Sequence, residues 1–213
     1  MRYFEDVYSA NPRPYGDGPS EAAKLLFEYL AKGMPGQKPT VVDLGCGYGR
    51  DCIYLAKKGC EVTGVDTSHR GILTAQIWAR QEHLDMKFMT KDIMASGIAE
   101  KSFDGILCAG VIEYLDPRRR PKVGHEIWRL ARPGATLALL CRATDDPDLG
   151  QGKDMGDNTW EVRMGLQVHF FTEREIKSLF PDFKGPKLEV ITVHEDFPEP
   201  KDRRYWLFLG QRP

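Results

Sequence analysis

The chain has 213 residues, 41% of them hydrophobic and 29% charged, with a formal net charge of −1 and a pI near 6.5. That length buries one sizeable core, and the near-neutral balance gives no global pull on a polyanion, which argues against nucleic acid as a bulk partner. No apolar run approaches the roughly 20 residues of a membrane span, the N-terminus lacks the pattern of a signal peptide, and five cysteines without a C-x-x-C pair read as reduced thiols, so a cytoplasmic protein is expected.

Tyr3, Phe4, Tyr8 and Tyr15 crowd the N-terminal stretch before the first helical pattern. Ser20 is placed to cap that helix, whose apolar positions run from Ala22 to Leu30 before Gly33 and Pro35 stop it. Strands then alternate with helices. Thr40–Leu44 precedes a helix over 49–58, and Glu61–Asp66 precedes one over 69–83. A short strand follows at 86–89 and another at 103–108. Asp116-Pro117 opens a helix to about Ala131, Pro133-Gly134 breaks it, and 136–141 reads as a fifth strand. This alternation predicts βαβ units and a mostly parallel sheet covered on both faces, a Rossmann-like doubly wound α/β fold.

The rhythm changes after Cys141. Residues 142–167 are polar and glycine-rich, too long for an ordinary connection, and are expected to form a functional insertion. Thr172-x-x-Glu175 is a capping box for another helix. "KLEVITVHE" and "RRYWLFLG", separated by "DFPEPKD", are strand-like runs joined by a loop too short for a parallel crossover, so the sheet is expected to end in an antiparallel hairpin. The chain divides into residues 1–35 as N-terminal lid and helix, 38–141 as a ligand-binding core, 142–171 as insertion and 172–213 as closing helix and hairpin.

The chemistry centres on "VVDLGCGYGRDCIYLAKKGCEVTGVD", Val41 to Asp66. Gly45, Gly47 and Gly49 let the backbone turn sharply and let a ligand approach it, and the next helix offers free amides there. A dinucleotide site would be spelled G-x-G-x-x-G. Here the spelling is G-x-G-x-G with Asp43 two residues ahead of it. An acid at that place repels a pyrophosphate and suits a cation. S-adenosylmethionine offers a sulfonium, an α-ammonium and no phosphate, and Asp66, closing the second strand, is placed for ribose hydroxyls.

This stretch resembles the first two motifs of class I S-adenosylmethionine-dependent methyltransferases. "TKDIMA", "KSFDGILCAGVIEYLDP" and "RLARPGATLAL" resemble later motifs of the same family, so the likeness runs from about Lys38 to Cys141. It implies a seven-stranded sheet and a cofactor set of Asp43, Gly45, Cys46, Gly47, Asp66, Thr67, Asp92, Ile93, Ala109 and Gly110. Within that set Asp92 would meet the adenine. "NTWE" with "HFFTEREI" also resembles the small methyltransferases of the tellurite-resistance and thiopurine type, which implies a small-molecule acceptor.

The sequence departs from the family at Tyr114, where many relatives carry a histidine. With that base absent, Tyr114 and His169 are the candidates for proton transfer. The lack of an obvious base in the motifs favours a soft sulfur, selenium or tellurium nucleophile, or a carboxylate, since these need no proton removed. No metal site is expected. Tyr8 and Tyr15 at the N-terminus and Trp160, Arg163, His169 and Phe171 in the insertion are the candidates for a lid over the substrate. The competing readings are an RNA or protein methyltransferase and a non-catalytic cofactor binder.

Overall fold

In the computed structural model, which describes residues 2–163 and 165–213, the N-terminal aromatic stretch forms a helix, α1 (Arg2–Ala10). The side chain of Ser20 accepts from Ala23 N and caps α2 (Glu21–Gly33), as the sequence predicts. Asp51 fastens this cap, its carboxylate accepting from Ser20 N at 2.6 Å and Ser20 Oγ at 2.7 Å. There follow β1 (Thr40–Leu44), α3 (Arg50–Lys57), β2 (Glu61–Asp66), α4 (His69–Gln81), β3 (Lys87–Thr90) and β4 (Phe103–Ala109), then α5 (Arg120–Leu130) and β5 (Ala131–Arg142). β6 (Lys153–Asp154), β7 (Thr159–Arg163), β8 (Leu166–His169), α6 (Glu173–Leu179), β9 (Lys184–Glu195) and β10 (Lys201–Gln211) complete the chain.

Seven strands form one sheet in the order β3-β2-β1-β4-β5-β10-β9, parallel except for β10, which runs antiparallel to both β5 and β9. Val41, Val42 and Leu44 are all fully buried because helices cover both faces of β1. The strand order reverses between β1 and β4, and the carboxyl ends of those strands form the crevice where open α/β sheets bind ligands.

Three local expectations change. The helix expected from Asp116 begins at Arg120, because residues 116–119 form a turn in which Asp116 Oδ1 accepts from Arg118 N at 2.8 Å. Pro133-Gly134 falls inside β5 rather than before it: Ala131 already pairs with Phe103, and an irregularity takes up the residues before Thr136 pairs with Gly105. The insertion is not open loop. β6, β7 and β8 make a three-stranded antiparallel sheet, and Leu166, Val168 and Phe170 bury there against Tyr3, Phe4 and Tyr114. The helix Glu173–Leu179 carries the predicted Thr172 capping box.

Candidate functional site

Gly45 and Gly47 turn the chain out of β1 with φ of 82° and 53°, in the left-handed region that side chains avoid. A Cβ on Gly45 would lie 2.3 Å from Val111 Cγ2, and one on Gly47 would lie 2.4 Å from Tyr8 Oη. The loop is therefore pressed between the segment after β4 and α1, and only bare backbone fits. Asp66 fixes it from β2: Oδ2 accepts from Gly47 N at 2.8 Å and Oδ1 from Ser68 N at 2.7 Å. Ser68 caps α4, and its hydroxyl donates to Glu5 at 2.6 Å, which seats α1 on the start of α4 as a roof.

Two cavities meet under this roof. One is lined by Asp43, Gly45, Cys46, Gly47, Ala109 and Gly110, the other by Gly45, Asp66, Thr67, Asp92, Ile93 and Gly110. All ten residues that the sequence assigns to the cofactor thus line one continuous crevice. Asp43 is buried, and burial pushes its pKa well above the carboxylate range, with Asp51 nearby adding to the rise. A cation brought to Asp43 would relieve that cost, whereas an anion would increase it. The only hydrogen bond to its carboxylate among the described residues comes from Cys52 Sγ at 3.2 Å. Burial likewise pushes the Cys46 thiol up to about 11, which keeps it protonated and unreactive.

A third cavity, of about 170 Å³, opens beside the first, lined by Tyr3, Arg142, Asp148, Arg163, Phe197, Lys201 and Arg203 among others. It shares Tyr15, Tyr114 and Glu195 with the first cavity, and Tyr114 lines all three. Asp148 gathers its cations: it accepts from Arg142 Nη2 at 2.6 Å and Lys201 Nζ at 2.5 Å and also from Arg203. Burial alone would raise the Asp148 pKa, but these bonds hold it below the ordinary value.

The lid candidates divide. Tyr8 and Tyr15 line the crevice, and Arg163 lines the third cavity, where it pairs with Glu199 at 3.3 Å. Trp160, His169 and Phe171 line none of the three cavities. Phe171 is core, 1% exposed. Trp160 packs in the small sheet against Leu166, Val168 and Phe170. His169 is fully buried, with Nδ1 3.0 Å from Thr159 Oγ1 and Nε2 3.0 Å from Glu175 Oε1. Burial lowers its pKa, and both ring nitrogens are occupied, so it braces α6 against the small sheet and is not placed to take a substrate proton. Asp157, His169 and Glu175 do cluster closely enough to hold a metal. Both nitrogens of the histidine are already spoken for, however, and the free side of Glu175 serves the Thr172 cap.

The run Arg118-Arg119-Arg120 is split in role. Arg119 pairs with Asp92 at 2.5 Å on the wall of the second cavity. Arg120 is buried, donating to Leu115 O at 3.1 Å and Thr159 Oγ1 at 3.4 Å, and so ties α5 to the insertion. The sequence reading missed Glu195, Arg142, Arg203 and Tyr205. They stand on strands whose apolar alternation gave no sign of a site.

A sheet of this order with an acid-flanked glycine loop at its switch point defines a class I S-adenosylmethionine-dependent methyltransferase domain. Residues 41–134 match the family described as a methyltransferase domain, and the chain carries that domain. It is 31% identical over 146 residues to the probable S-adenosyl-L-methionine-dependent methyltransferase TehB of Haemophilus influenzae, covering 68% of this chain and 46% of that protein. It is 30% identical over 159 residues to the tRNA N(3)-methylcytidine methyltransferase Mettl2 of Drosophila melanogaster, covering 67% of this chain and 47% of that protein. The chain spans about half the length of the curated relatives it matches. Among solved structures, the 1,6-didemethyltoxoflavin-N1-methyltransferase of Burkholderia thailandensis, with 1,6-didemethyltoxoflavin and S-adenosylhomocysteine bound, superposes with a TM-score of 0.69 at 21% identity. The match covers 99% of this chain and 89% of that one and shows a shared fold.

Proposed function

We propose that the chain transfers a methyl group from S-adenosylmethionine to a small-molecule acceptor. The observation that carries this is the adjacency of the cavities: the acid-bearing glycine crevice shares Tyr15, Tyr114 and Glu195 as lining with a further cavity of about 170 Å³. Bound in the crevice, the cofactor supplies a methyl carbon activated by a positive sulfur. Asp43 and the loop amides would hold its methionine end and Asp66 its ribose. Asp92 would reach the adenine from its pair with Arg119. Phe4 and Tyr8 on α1 exclude water from above. The chain's contribution is then alignment of acceptor and methyl group in a dry site.

The absence of a base in the family motifs favours a soft nucleophile or a carboxylate, and Glu195, which lies outside those motifs, is a carboxylate that lines both the crevice and the further cavity. The match to Mettl2 favours an RNA acceptor as second reading, against which stand the net charge of −1 and the small cavity. Five buried free cysteines support a reducing, cytoplasmic setting, and no described helix is long and apolar enough to cross a membrane. Calorimetry with S-adenosylmethionine and with NAD tests the cofactor: tight binding of the first alone is expected, and tighter binding of NAD would overturn the assignment. A screen of small acceptors beside tRNA, read by S-adenosylhomocysteine release, tests the rest. Turnover of tRNA alone would replace the small-molecule reading, and no turnover at all would leave a cofactor binder.

A further inference from the structure

The transferred carbon must cross between two cavities, and one carboxylate stands at the crossing. Glu195 closes β9 and lines both the methionine end of the crevice and the acceptor cavity. Both of its oxygens are fixed: Oε1 accepts from Tyr205 Oη at 2.6 Å, and Oε2 lies 2.9 Å from Arg203 Nε. Each oxygen keeps a lone pair for a further donor. The other side chains shared by the two cavities are the phenols Tyr15 and Tyr114. Burial raises the pKa of both, so they stay protonated and cannot take a proton. His169, the histidine nearest in sequence to the lid, is held elsewhere by Thr159 and Glu175.

Resting on the methyltransferase reading, we propose that Glu195 accepts the hydrogen bond of a proton-bearing nitrogen or oxygen nucleophile, so that the acceptor is an amine or a phenol rather than a chalcogen anion or a carboxylate. An anion arriving at the crossing meets the Glu195 charge at short range. The cations of that cavity are matched one for one, Arg142, Lys201 and Arg203 by Asp146, Asp148 and Glu195 itself, so these groups carry no surplus positive charge to draw an anion in. An N–H or O–H meets an acceptor already oriented by two hydrogen bonds, and its lone pair is turned toward the crevice. In the transfer that lone pair forms the new bond to carbon. The broken carbon–sulfur bond leaves its electron pair on sulfur as a neutral thioether, and the acceptor's proton passes to Glu195 and on to water.

The test uses the full chain with tyramine, aniline, catechol, thiophenol and benzoate as acceptors, after calorimetry has established that S-adenosylmethionine binds. Release of S-adenosylhomocysteine with at least one of tyramine, aniline and catechol, faster than with thiophenol or benzoate, is the expected result. Glu195→Gln should lower kcat/KM for that acceptor about a hundredfold. It should also weaken equilibrium binding of the acceptor without cofactor by about tenfold, with cofactor affinity kept within about twofold. Faster turnover of thiophenol or benzoate overturns the proposal, as does a cofactor-binding chain that turns over no nitrogen or oxygen acceptor. So does a Gln variant with unchanged turnover and acceptor binding. The acceptor preference is measured on the unaltered chain and therefore decides the matter even if the Gln variant does not fold. Failure of the unaltered chain to bind S-adenosylmethionine would instead remove the underlying reading.

Discussion

Seven of the residues that line the first cavity come from one stretch, Asp43 to Asp51, whereas the third cavity draws on α1, the segment after β5, the small sheet and the β9–β10 hairpin. The first half is shaped by backbone: left-handed glycines, loop amides and an acid at a strand end. The second is shaped by side chains that meet over long separations, such as Arg203 and Lys201 on Asp148, 55 and 53 residues away. A cofactor common to many enzymes can be held by a local and repeatable device. An acceptor particular to one enzyme is held by whatever the variable segments place against that device.

The largest effect should come from the junction between the halves. Phe171 is 1% exposed, packs edge-to-face on His169 with ring centroids 4.5 Å apart, and lies under the Arg120 guanidinium at 5.7 Å. Phe171→Ala should cost roughly 3–5 kcal/mol of stability, read by denaturant unfolding. If the halves are built independently, cofactor affinity per folded molecule should stay within about threefold. A loss of cofactor binding with unchanged stability would show that the insertion shapes the crevice after all.

The same contrast explains what the sequence revealed. β1, β2, the glycine turn and Asp66 were legible because glycine spacing, strand ends and caps are contiguous signals. The hairpin was legible because its loop length excludes a crossover. Glu195 was not, since in "KLEVITVHE" it is one more polar residue on an alternating strand, and only its pairing with Tyr205 and Arg203 places it at the crossing. His169 misled for the same reason. Its partners Thr159 and Glu175 are 10 and 6 residues away, and the capping box visible at Thr172 gave no hint that the other Glu175 oxygen holds the imidazole. Trp160 is aromatic because a three-stranded sheet has to be packed, and Phe171 because it fills the main core; the polar composition of 142–167 hid that sheet.

A smaller effect probes a buried carboxyl beside Tyr114. Glu113 is 1% exposed, and neither carboxylate oxygen has a hydrogen-bond partner among the described residues. Burial pushes its pKa up to about 8 from 4.5, with the Arg142 guanidinium offsetting part of the rise. Between these values the folded chain keeps a proton that the unfolded chain has released. Stability should therefore fall as pH rises from about 5 to 8, and the penalty should vanish below the unfolded value. Glu113→Gln removes the titrating group, so it should gain on the unaltered chain by on the order of 3 kcal/mol between pH 5 and 8. Parallel stability–pH curves for the two proteins would show that Glu113 is ionised and paired at pH 7.

Within the cofactor half, Asp66→Ala should weaken S-adenosylmethionine binding by roughly 1–3 kcal/mol. The variant would lose the ribose contact proposed for Asp66 and also the hold on Gly47 N and Ser68 N. Kinetics with saturating cofactor should then recover most of the turnover, because the acceptor side is untouched. If unfolding rather than affinity is what changes, Asp66 serves only the fold.

The smallest effect should belong to the residue that the two halves share. Tyr114 lines all three cavities, and its ring packs edge-on against Phe4 with centroids 4.9 Å apart. Among the described residues its hydroxyl makes no hydrogen bond to protein, and burial keeps it protonated. What the fold uses is therefore the ring, which fills the corner between α1, the crevice and the acceptor cavity. Tyr114→Phe keeps that ring and should change stability and cofactor affinity by less than about 0.5 kcal/mol, as substitutions that disturb no packing do. Tyr114→Ala opens the corner to water and should impair cofactor binding and transfer together. A Tyr114→Phe variant that binds cofactor normally but loses transfer by more than about tenfold would give the hydroxyl a direct contact with the acceptor. In that event a phenol would share with Glu195 the task of orienting the nucleophile, and the boundary between the two halves would run through Tyr114 itself.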